Sequence, residues 1–591
     1  MIDRSSTIRL CIFGLFVLLT AGCQKKKIET QAVKSRQSTD ETIGDKYDTG
    51  LEKVNNIMME IKHNVVPSNP EPILYADVQN IEQDINLEKI ANFFGCKTVM
   101  GHTFLVETLK HPVAASDKSS IVEHRQKAVL ALVKDPHLKK QIQDLVDTAA
   151  IHEQQIIQLM SDFFIGKTCP ELASLALLKS QKSGFYPMVE FCNTNTTMKT
   201  VVTTLNVITI LGGSLATIFT GLAAAHDAHL GLAYSELVIS TAYFGFLTGL
   251  YTYVLYDDCS KAAQKRSKMH ALNQLIATAE SIEFICTLYN IDNQFKMSLI
   301  HDAQGIELVQ KLKHCRYKNK SNYCFNAPSV HTLLYKVYKN DKHLAQMFAS
   351  IAEMDVYNAI ANKILEGQGS EHEFCCAQIT ESPKPEVLST SFWNVLVPDA
   401  VVNDLIQDKH IILTGPNAGG KTTAIRSNLQ NIILAQTYGF AAAKTFEYTP
   451  FDVIVSYLNV SDDLINGLSL FASEIKRAQE LLQMIKKLDP DQKLYFALDE
   501  LFTGTAAEEG EKCAYEFIKK LSSFDRILFV YATHFNKLKE LAQEESKIVN
   551  YKVDAPIKND KGKLVYPYTL SFGASDINIA LDMAKEANLF E

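Results

Sequence analysis

The spacing of hydrophobic and polar positions divides the chain into stretches with different periods. Apolar side chains recur at helical spacing through residues 51–195 and again through residues 262–365, so both stretches are predicted to be mainly helices. A Ser-Pro-Lys-Pro segment at residues 382–385 then marks a boundary. In residues 390–591, short apolar runs alternate with helical patterns, which predicts a mostly parallel sheet covered by helices.

Two long apolar segments lie between the helical stretches. Residues 201–225 and 237–256 contain no charged side chain, and each segment is long enough to cross a bilayer. Their glycines favour the close packing that membrane helices use. We therefore predict a transmembrane hairpin at residues 196–257, and a buried pair of helices in a soluble domain is the alternative.

Residues 1–23 have the pattern of a targeting segment. Arg4 and Arg9 precede an apolar run, and Cys23 follows it, an order that is typical of a bacterial lipoprotein signal. The alternative is an uncleaved anchor helix. Residues 24–50 are polar and charged and are predicted to form a linker.

Composition narrows the classes of function. The formal net charge is -8 and no patch rich in lysine and arginine stands out, which argues against strong, sequence-independent DNA binding. The 12 cysteines form no C-x-x-C pair, so no zinc framework is predicted. Scattered single cysteines are typical of buried thiols in a reducing compartment.

A phosphate-binding loop follows the apolar run at residues 411–413. The sequence fits G-x-x-x-x-G-K-[ST] without a gap, and backbone N–H groups of such a loop surround phosphates at a helix N-terminus. The lysine supplies a charge for the β- and γ-phosphates, and the hydroxyl after it is a ligand for Mg²⁺. The predicted nucleotide-binding residues are Gly415, Pro416, Asn417, Ala418, Gly419, Gly420, Lys421 and Thr422.

Two later strands end in polar residues that suit the same site. One apolar run ends in Asp499 and Glu500. Asp499 is predicted to hold Mg²⁺ together with Thr422, and Glu500 to orient or polarise the attacking water. A further apolar run leads to His534, which is predicted to sense the γ-phosphate. The alternatives are a buried strand with a solvated acidic end and a structural histidine.

These motifs, in this order, resemble the MutS family of DNA mismatch-repair ATPases. The family loop G-P-N-M-G-G-K-[ST] differs from residues 415–422 at one position, Ala418. Residues 434–443 resemble A-Q-x-x-x-F-V-P-A without its proline, and residues 461–474 resemble S-D-D-L-x-x-G-x-S-T-F-x-x-E. Residues 532–535, Ala-Thr-His-Phe, resemble A-T-H-[YF].

The resemblance also extends before the ATPase region. Residues 98–126 resemble the opening of the family's helical core, and residues 397–399 resemble its V-P-N-D lead-in. The resemblance implies that ATP and Mg²⁺ are ligands and that the ATPase domain forms a homodimer. In family dimers a serine reaches the γ-phosphate bound by the opposite subunit, and Ser469 is the candidate for that contact.

The sequence departs from the family at two places. G-R-G-T-S usually follows the paired carboxylates in the family, whereas residues 502–506 read Phe-Thr-Gly-Thr-Ala. In family dimers this loop links the two active sites. No mismatch-reading domain with its Phe-x-Glu motif is visible before residue 70. Mismatch recognition is therefore not carried over, and double-stranded DNA stays a partner that the resemblance allows.

The predicted fold class is multidomain: a mostly α-helical core and lever region with a transmembrane hairpin, then an α/β P-loop ATPase domain of the ABC-like branch. The predicted divisions are a signal or anchor segment at 1–23, a linker at 24–50, a helical core at 51–195, the hairpin at 196–257, a second helical part at 258–380 and the ATPase domain at 390–591.

The predicted function is ATP binding and hydrolysis by a membrane-tethered, MutS-like protein that is related to DNA mismatch repair by family. Basic residues at 25–27 outweigh those at the N-terminus, so the positive-inside rule places the ATPase domain on the cytoplasmic side of a bacterial inner membrane. Two alternatives remain: a DNA-binding repair protein with a basic groove, and a nucleotide-gated membrane scaffold without DNA binding, which the altered loop after Glu500 favours.

Overall fold

The computed structural model describes eight parts of the chain, namely residues 74–75, 78–115, 121–164, 268–291, 303–314, 341–458, 470–560 and 563–575. The predicted signal or anchor segment, the linker and the predicted hairpin lie outside these ranges. Ser469 also lies outside them.

The first half of the described chain consists of helices that follow one short strand. The strand is β1, Leu74–Tyr75. The helices are α1 Val78–Ile85, α2 Leu87–Phe94, α3 Val99–Lys110, α4 Ile121–Lys134, α5 Pro136–Phe164, α6 at 268–288, α7 Ala303–His314 and α8 Asp341–Gly367.

Helix α8 forms the centre of this helical region. Its residues 347–361 are buried on every side of the helix, and it packs against α3, α4 and α5. A helix without a solvent-exposed face needs neighbours all round, and here other helices of the chain supply them. The polar residues of this stretch, including Glu353 and Asp355, are buried with it.

Two buried carboxylates hold the first turn of α3. Asp355 Oδ2 accepts hydrogen bonds from the Thr98 backbone N–H at 2.7 Å and from its hydroxyl at 2.6 Å. Glu153 accepts from the backbone N–H groups of Val99 at 2.8 Å and Met100 at 2.7 Å. Carboxyl oxygens are suitable acceptors at a helix N-terminus, where these N–H groups have no partner within the helix. Helices α5 and α8 are thereby fastened to α3.

The second half of the described chain is an α/β domain on a seven-stranded sheet in the order β1-β9-β10-β11-β6-β12-β15. All neighbours are parallel except β12 and β15. The strands are β6 His410–Thr414, β9 Val453–Tyr457, β10 Leu494–Asp499, β11 Ile527–Ala532, β12 Ile548–Val553 and β15 Leu570–Phe572.

Helices cover both faces of this sheet. They are α9 Lys421–Tyr438, α10 Leu470–Lys487, α11 Ala507–Ser522 and α12 Asn536–Glu544. Successive strand residues belong alternately to two apolar clusters, one shared with α9 and the other with α10, α11 and α12. Burial on both faces explains why these strands read as continuous apolar runs in the sequence.

A four-stranded sheet and two strand pairs complete the domain. The sheet has the order β3-β8-β4-β5, and the pairs are β2 with β7 and β13 with β14. Their bounds are β2 Cys375–Cys376, β3 Gln378–Ile379, β4 Val387–Phe392, β5 Asn403–Gln407, β7 Phe440–Ala441, β8 Thr445–Tyr448, β13 Ile557–Lys558 and β14 Leu564–Val565.

The helical region is joined to the α/β domain at the end of helix α9. Arg125, on α4, donates a hydrogen bond of 2.9 Å to the Thr437 carbonyl, and its guanidinium lies 5.4 Å from the Tyr438 ring centroid. Gln126 donates to the Gly439 carbonyl at 2.5 Å. A cation is favourable at a helix C-terminus, where carbonyl groups lack partners. The helix that starts at the P-loop thus ends on α4.

The predicted membrane architecture needs correction. Among the described residues, no helix is long and apolar enough to cross a membrane. Instead, these residues form a mixed α/β structure in which the most buried helix, α8, is covered by other helices. For the described part of the chain, this overturns the predicted fold class with a transmembrane hairpin and the inner-membrane localisation that depended on it. The domain boundaries stay predictions.

Candidate nucleotide site

The P-loop connects the buried strand β6 to helix α9. Gly420 precedes the helix with a φ of 99°, a left-handed conformation that glycine adopts without a steric penalty. The turn is closed by a hydrogen bond of 3.1 Å from the Gly419 N–H to the Pro416 carbonyl. The N-terminus of α9 therefore points its unpaired N–H groups and its positive dipole end toward the loop, an arrangement suited to phosphate.

Lys421 lies at the centre of the site. Its side chain is 6% exposed, and Nζ donates to the Gly415 carbonyl at 3.3 Å. Nζ is also 2.8 Å from His534 Nε2 and 3.7 Å from Glu500 Oε1. Burial lowers the pKa of Lys421, and the nearby carboxylates of Glu500 and Asp499 oppose that effect. The lysine is thus a cation in a desolvated place, where an anionic phosphate is a favourable partner.

Thr422 and Asp499 meet beside the lysine. The Thr422 hydroxyl donates a hydrogen bond of 2.5 Å to Asp499 Oδ2. Asp499 Oδ1 is buried and has no hydrogen-bond partner. Burial raises the pKa of Asp499, whereas the hydrogen bond from Thr422 lowers it. An unpartnered, buried carboxylate oxygen is costly, so this position is suited to a cation.

Glu500 and His534 form the third part of the site. Glu500 Oε1 is 3.1 Å from His534 Nε2. Hydrogen bonding from His534, together with the charge of Lys421, keeps the pKa of Glu500 below its usual value although burial opposes this. The carboxylate therefore stays ionised, as a group that orients or deprotonates water must be.

The Nε2 atom of His534 has two competing neighbours. It lies within bonding distance of Lys421 Nζ, which is a donor, and of Glu500 Oε1, which is an acceptor. A ring nitrogen carries either a lone pair or a proton, so it forms a hydrogen bond with only one of the two at a time. The site therefore has two hydrogen-bonding arrangements. In one, Nε2 of His534 accepts from Lys421, and in the other, Nε2 carries the ring proton and donates to Glu500.

Strand order explains how these residues meet. Strands β10, β11 and β6 are adjacent and parallel, so their carboxyl ends share one edge of the sheet. A hydrogen bond of 3.0 Å from the Thr533 N–H to the Leu413 carbonyl fixes the end of β11 beside the P-loop. The structure thus brings the P-loop residues 415–422 together with Asp499, Glu500 and His534, whereas Ser469 lies outside the described residues.

One aromatic residue at the site was not predicted from the sequence. A Cβ atom placed on Gly420 would lie 3.2 Å from Tyr568 Cδ1, so the ring borders the P-loop directly. Tyr568 is 47% exposed and stacks on Tyr566, with ring centroids 5.8 Å apart. Asn403 donates to the Tyr568 carbonyl at 3.1 Å and fixes this segment. Only the return of β15 to the sheet brings Tyr568 here, and no local motif signals that.

Comparison with known proteins agrees with this geometry. Residues 411–591 match the family model described as MutS domain V. DNA mismatch repair protein MutS of Streptococcus agalactiae serotype Ia is 28% identical over 254 residues, covering 42% of this chain and 28% of that protein. The protein of the same name from Leuconostoc citreum is 32% identical over 194 residues, covering 32% of this chain and 22% of that protein.

A third relative gives the same picture. DNA mismatch repair protein MutS of Streptococcus equi subsp. equi is 32% identical over 180 residues, covering 30% of this chain and 20% of that protein. The chain thus spans about a quarter of the length of the curated relatives it matches. The predicted resemblance to the MutS family is confirmed for residues 411–591, which match the model of MutS domain V, and the matched relatives are MutS proteins.

Proposed function

We propose that this chain binds ATP with Mg²⁺ and hydrolyses it, in a role related to DNA mismatch repair. The observation that carries the proposal is the convergence of three strand ends, where Thr422 contacts Asp499 and Lys421 lies close to both His534 and Glu500. The named relatives are DNA mismatch repair proteins, which supports the process to which the activity belongs.

Thr422 and Asp499 would hold Mg²⁺. A hydroxyl and a carboxylate are oxygen ligands of the kind that Mg²⁺ prefers. The unpartnered Oδ1 of Asp499 fits this assignment. A bound cation would give this oxygen a partner and would favour the ionised carboxylate, which burial disfavours. When bound, the ion supplies positive charge that offsets the charge of the phosphate oxygens.

Lys421 binds the β- and γ-phosphates. Its ammonium group is already desolvated, so a phosphate oxygen replaces the Gly415 carbonyl and His534 as a partner without a further loss of water. When Lys421 turns to phosphate, Nε2 of His534 loses its competing donor. His534 is then free to donate its proton to Glu500 or to the γ-phosphate, which is the sensing role proposed for it.

Glu500 positions and polarises the attacking water. Its ionised carboxylate lies at the same edge as the P-loop, 3.7 Å from the Lys421 ammonium. Preorganised charges of this kind are the main catalytic device in phosphoryl transfer, since little covalent chemistry falls to the protein. His534 contributes by keeping Glu500 oriented and ionised.

Tyr568 recognises the adenine base. Its ring borders Gly420, beside the place where the phosphates enter, and nearly half of its surface is open. A base stacked on an exposed aromatic face gains affinity without a need for specific hydrogen bonds.

The partners we propose are a second copy of the chain and double-stranded DNA. The second copy pairs through the ATPase domain, and Ser469 completes the neighbouring γ-phosphate site. Helix α9 supports a route between nucleotide and partner, since it begins at the P-loop and ends on Arg125 and Gln126 of the helical region. Phosphate binding at the N-terminus of α9 would therefore be transmitted through this helix to the helical region that contacts its C-terminus.

ATP hydrolysis by the purified chain, with and without duplex DNA, tests this function. Lys421→Ala provides the blank, because it removes the phosphate-binding charge. We expect Mg²⁺-dependent turnover that Lys421→Ala abolishes and that duplex DNA changes. Turnover that does not change with DNA would contradict the proposed role in DNA repair. Turnover that persists in Lys421→Ala would contradict the assignment of the nucleotide site.

A further inference from the structure

The loop that follows Glu500 is held by a residue of another helix. Glu474, on α10, is 1% exposed. Its two carboxylate oxygens accept hydrogen bonds of 3.1 Å each, one from the backbone N–H of Thr503 and one from that of Gly504. Hydrogen bonds to an ionised acceptor are about twice as strong as neutral ones. The loop after the hydrolytic residue is therefore fastened to α10.

Gly504 makes a second contact with the same helix. A Cβ atom on Gly504 would lie 2.6 Å from the Phe471 backbone nitrogen and 2.9 Å from Leu470 Cγ. A larger residue would displace either the loop or the first turn of α10. Carboxylate and glycine thus fix two adjacent loop residues to the first two turns of α10.

This loop needs anchors because its backbone is strained. Glu500 and Phe502 have positive φ angles of 49° and 68°, a left-handed conformation that is unfavourable for residues other than glycine. Between them, the Leu501 carbonyl accepts a hydrogen bond of 2.9 Å from the Tyr531 hydroxyl. Without outside contacts the turn would relax, and the direction of the Glu500 side chain would change with it.

We infer that Glu474 is a positioning residue for Glu500 and that helix α10 controls hydrolysis through it. The inference rests on the proposed function, since it concerns the water-polarising role of Glu500. Glu474 keeps the strained turn in place and thereby keeps Glu500 Oε1 beside His534 Nε2. A displacement of α10 would move Thr503 and Gly504 and would withdraw Glu500 while leaving the P-loop intact.

Two variants disturb this connection in different ways. Glu474→Gln keeps the size of the side chain but leaves one oxygen to serve two N–H groups. Gly504→Ala keeps the carboxylate and pushes the loop away from Phe471. The matched control is Glu480→Gln, an exposed position on the same helix. Each variant is compared with the parent for kcat, for the Kd of ATP and for amide hydrogen exchange in residues 501–505.

For Glu474→Gln and Gly504→Ala, we expect kcat to fall at least about tenfold while the Kd of ATP changes less than about threefold. The amides of Thr503 and Gly504 should exchange faster in Glu474→Gln, and Glu480→Gln should match the parent. A merely structural role would reduce the amount of folded protein without separating kcat from Kd.

Two other results would overturn the inference. The first is a folded Glu474→Gln protein with the parent's kcat. The second is a loss of ATP affinity as large as the loss of kcat. A parent that binds ATP without turning it over would overturn the proposed function and this inference together. Turnover by the parent therefore distinguishes a failure of the proposed function from a failure of the role assigned to Glu474.

Discussion

Thr422 donates a hydrogen bond of 2.5 Å to Asp499 Oδ2, and this contact joins the first turn of the P-loop helix to the end of strand β10. The two residues are 77 positions apart in the chain. Their contact leaves Asp499 Oδ1 as a buried oxygen without a partner, and this oxygen makes the pair a candidate for Mg²⁺ rather than a simple structural hydrogen bond.

Asp499→Asn should weaken nucleotide binding only when Mg²⁺ is present. The amide keeps the size of the side chain but loses the charge that favours a divalent cation. We expect the Kd of ATP to rise about tenfold or more in Mg²⁺, equivalent to about 1.4 kcal/mol, and to stay near the parent value in EDTA. Asp491→Asn, an exposed position just before the same strand, is the control. An equal effect with and without Mg²⁺ would contradict the assignment.

His534→Ala should lower turnover and shift its pH dependence. Hydrogen bonding from His534 is the main cause of the low pKa of Glu500, so its removal lets that pKa rise toward the usual value. A carboxylate base works only above its pKa, so the acid limb of the kcat profile should move to higher pH. We expect kcat to fall about 10²-fold at neutral pH.

The control for His534→Ala is His137→Ala, an exposed position in the helical region. An acid limb at the parent's pH would show that His534 does not set the ionisation of Glu500.

Tyr568→Ala should weaken the binding of ATP but not the binding of a ligand that has no base. Loss of base stacking costs about 1–3 kcal/mol, so the Kd of ATP should rise by a factor of about 5 to 150. Inorganic tripolyphosphate should bind as it does to the parent. Ile557→Ala removes another exposed apolar side chain, on strand β13, and should change neither ligand. A parallel loss of tripolyphosphate binding would mean that Tyr568 shapes the P-loop instead.

The stability of the helical region should fall as the pH rises from about 4.5 to about 7. Burial raises the pKa of Glu153 from 4.5 to about 7, and burial also raises the pKa of its neighbour Asp355. In this interval the folded chain holds a proton that the unfolded chain has already released. The contribution of the protonated Glu153 carboxyl to the free energy of unfolding is therefore complete below pH 4.5 and is lost as the pH passes about 7. Its size is about 3 kcal/mol for Glu153 alone.

Urea unfolding at several pH values measures this dependence. The single tryptophan, Trp393, reports it, because its ring contacts Phe374 and Phe93 at 5.3 and 6.2 Å between ring centroids. Glu153→Gln, which cannot ionise, should reduce the slope between pH 4.5 and 7. Glu123→Gln, at an exposed position on α4, should keep it. An unchanged slope in Glu153→Gln would assign the dependence to other groups.

Local motifs allowed the residues of the candidate nucleotide site to be picked out from the sequence, and the structure brings the P-loop residues together with Asp499, Glu500 and His534. The P-loop is a contiguous pattern, Asp499 ends one buried strand and His534 follows another. Parallel strands bring their carboxyl ends to one edge, so three separate predictions become one site. The contacts of Tyr568 with Gly420 and of Glu474 with the loop at 503–504 depend on tertiary packing, and no spacing in the sequence encodes them.

Hydropathy misled the prediction of fold class. A long apolar pattern identifies a segment that avoids water, but it does not say what covers the segment. Helix α8 illustrates the ambiguity among the described residues. Its residues 347–361 are buried all round, yet they are covered by α3, α4 and α5, and they include the ionisable Glu353 and Asp355. Partners that come from distant parts of the chain cannot be read from the pattern of one segment.

The role of Glu500 is best tested by measuring ATP binding and single-turnover hydrolysis with Glu500→Gln beside the parent. The amide keeps the shape of the side chain but cannot accept a proton from water, and Lys421, Thr422 and Asp499 are left in place. We predict that Glu500→Gln binds one ATP per site with the parent's affinity and hydrolyses it at least about 10²-fold more slowly. Hydrolysis by Glu500→Gln at the parent's rate would show that Glu500 does not activate the attacking water.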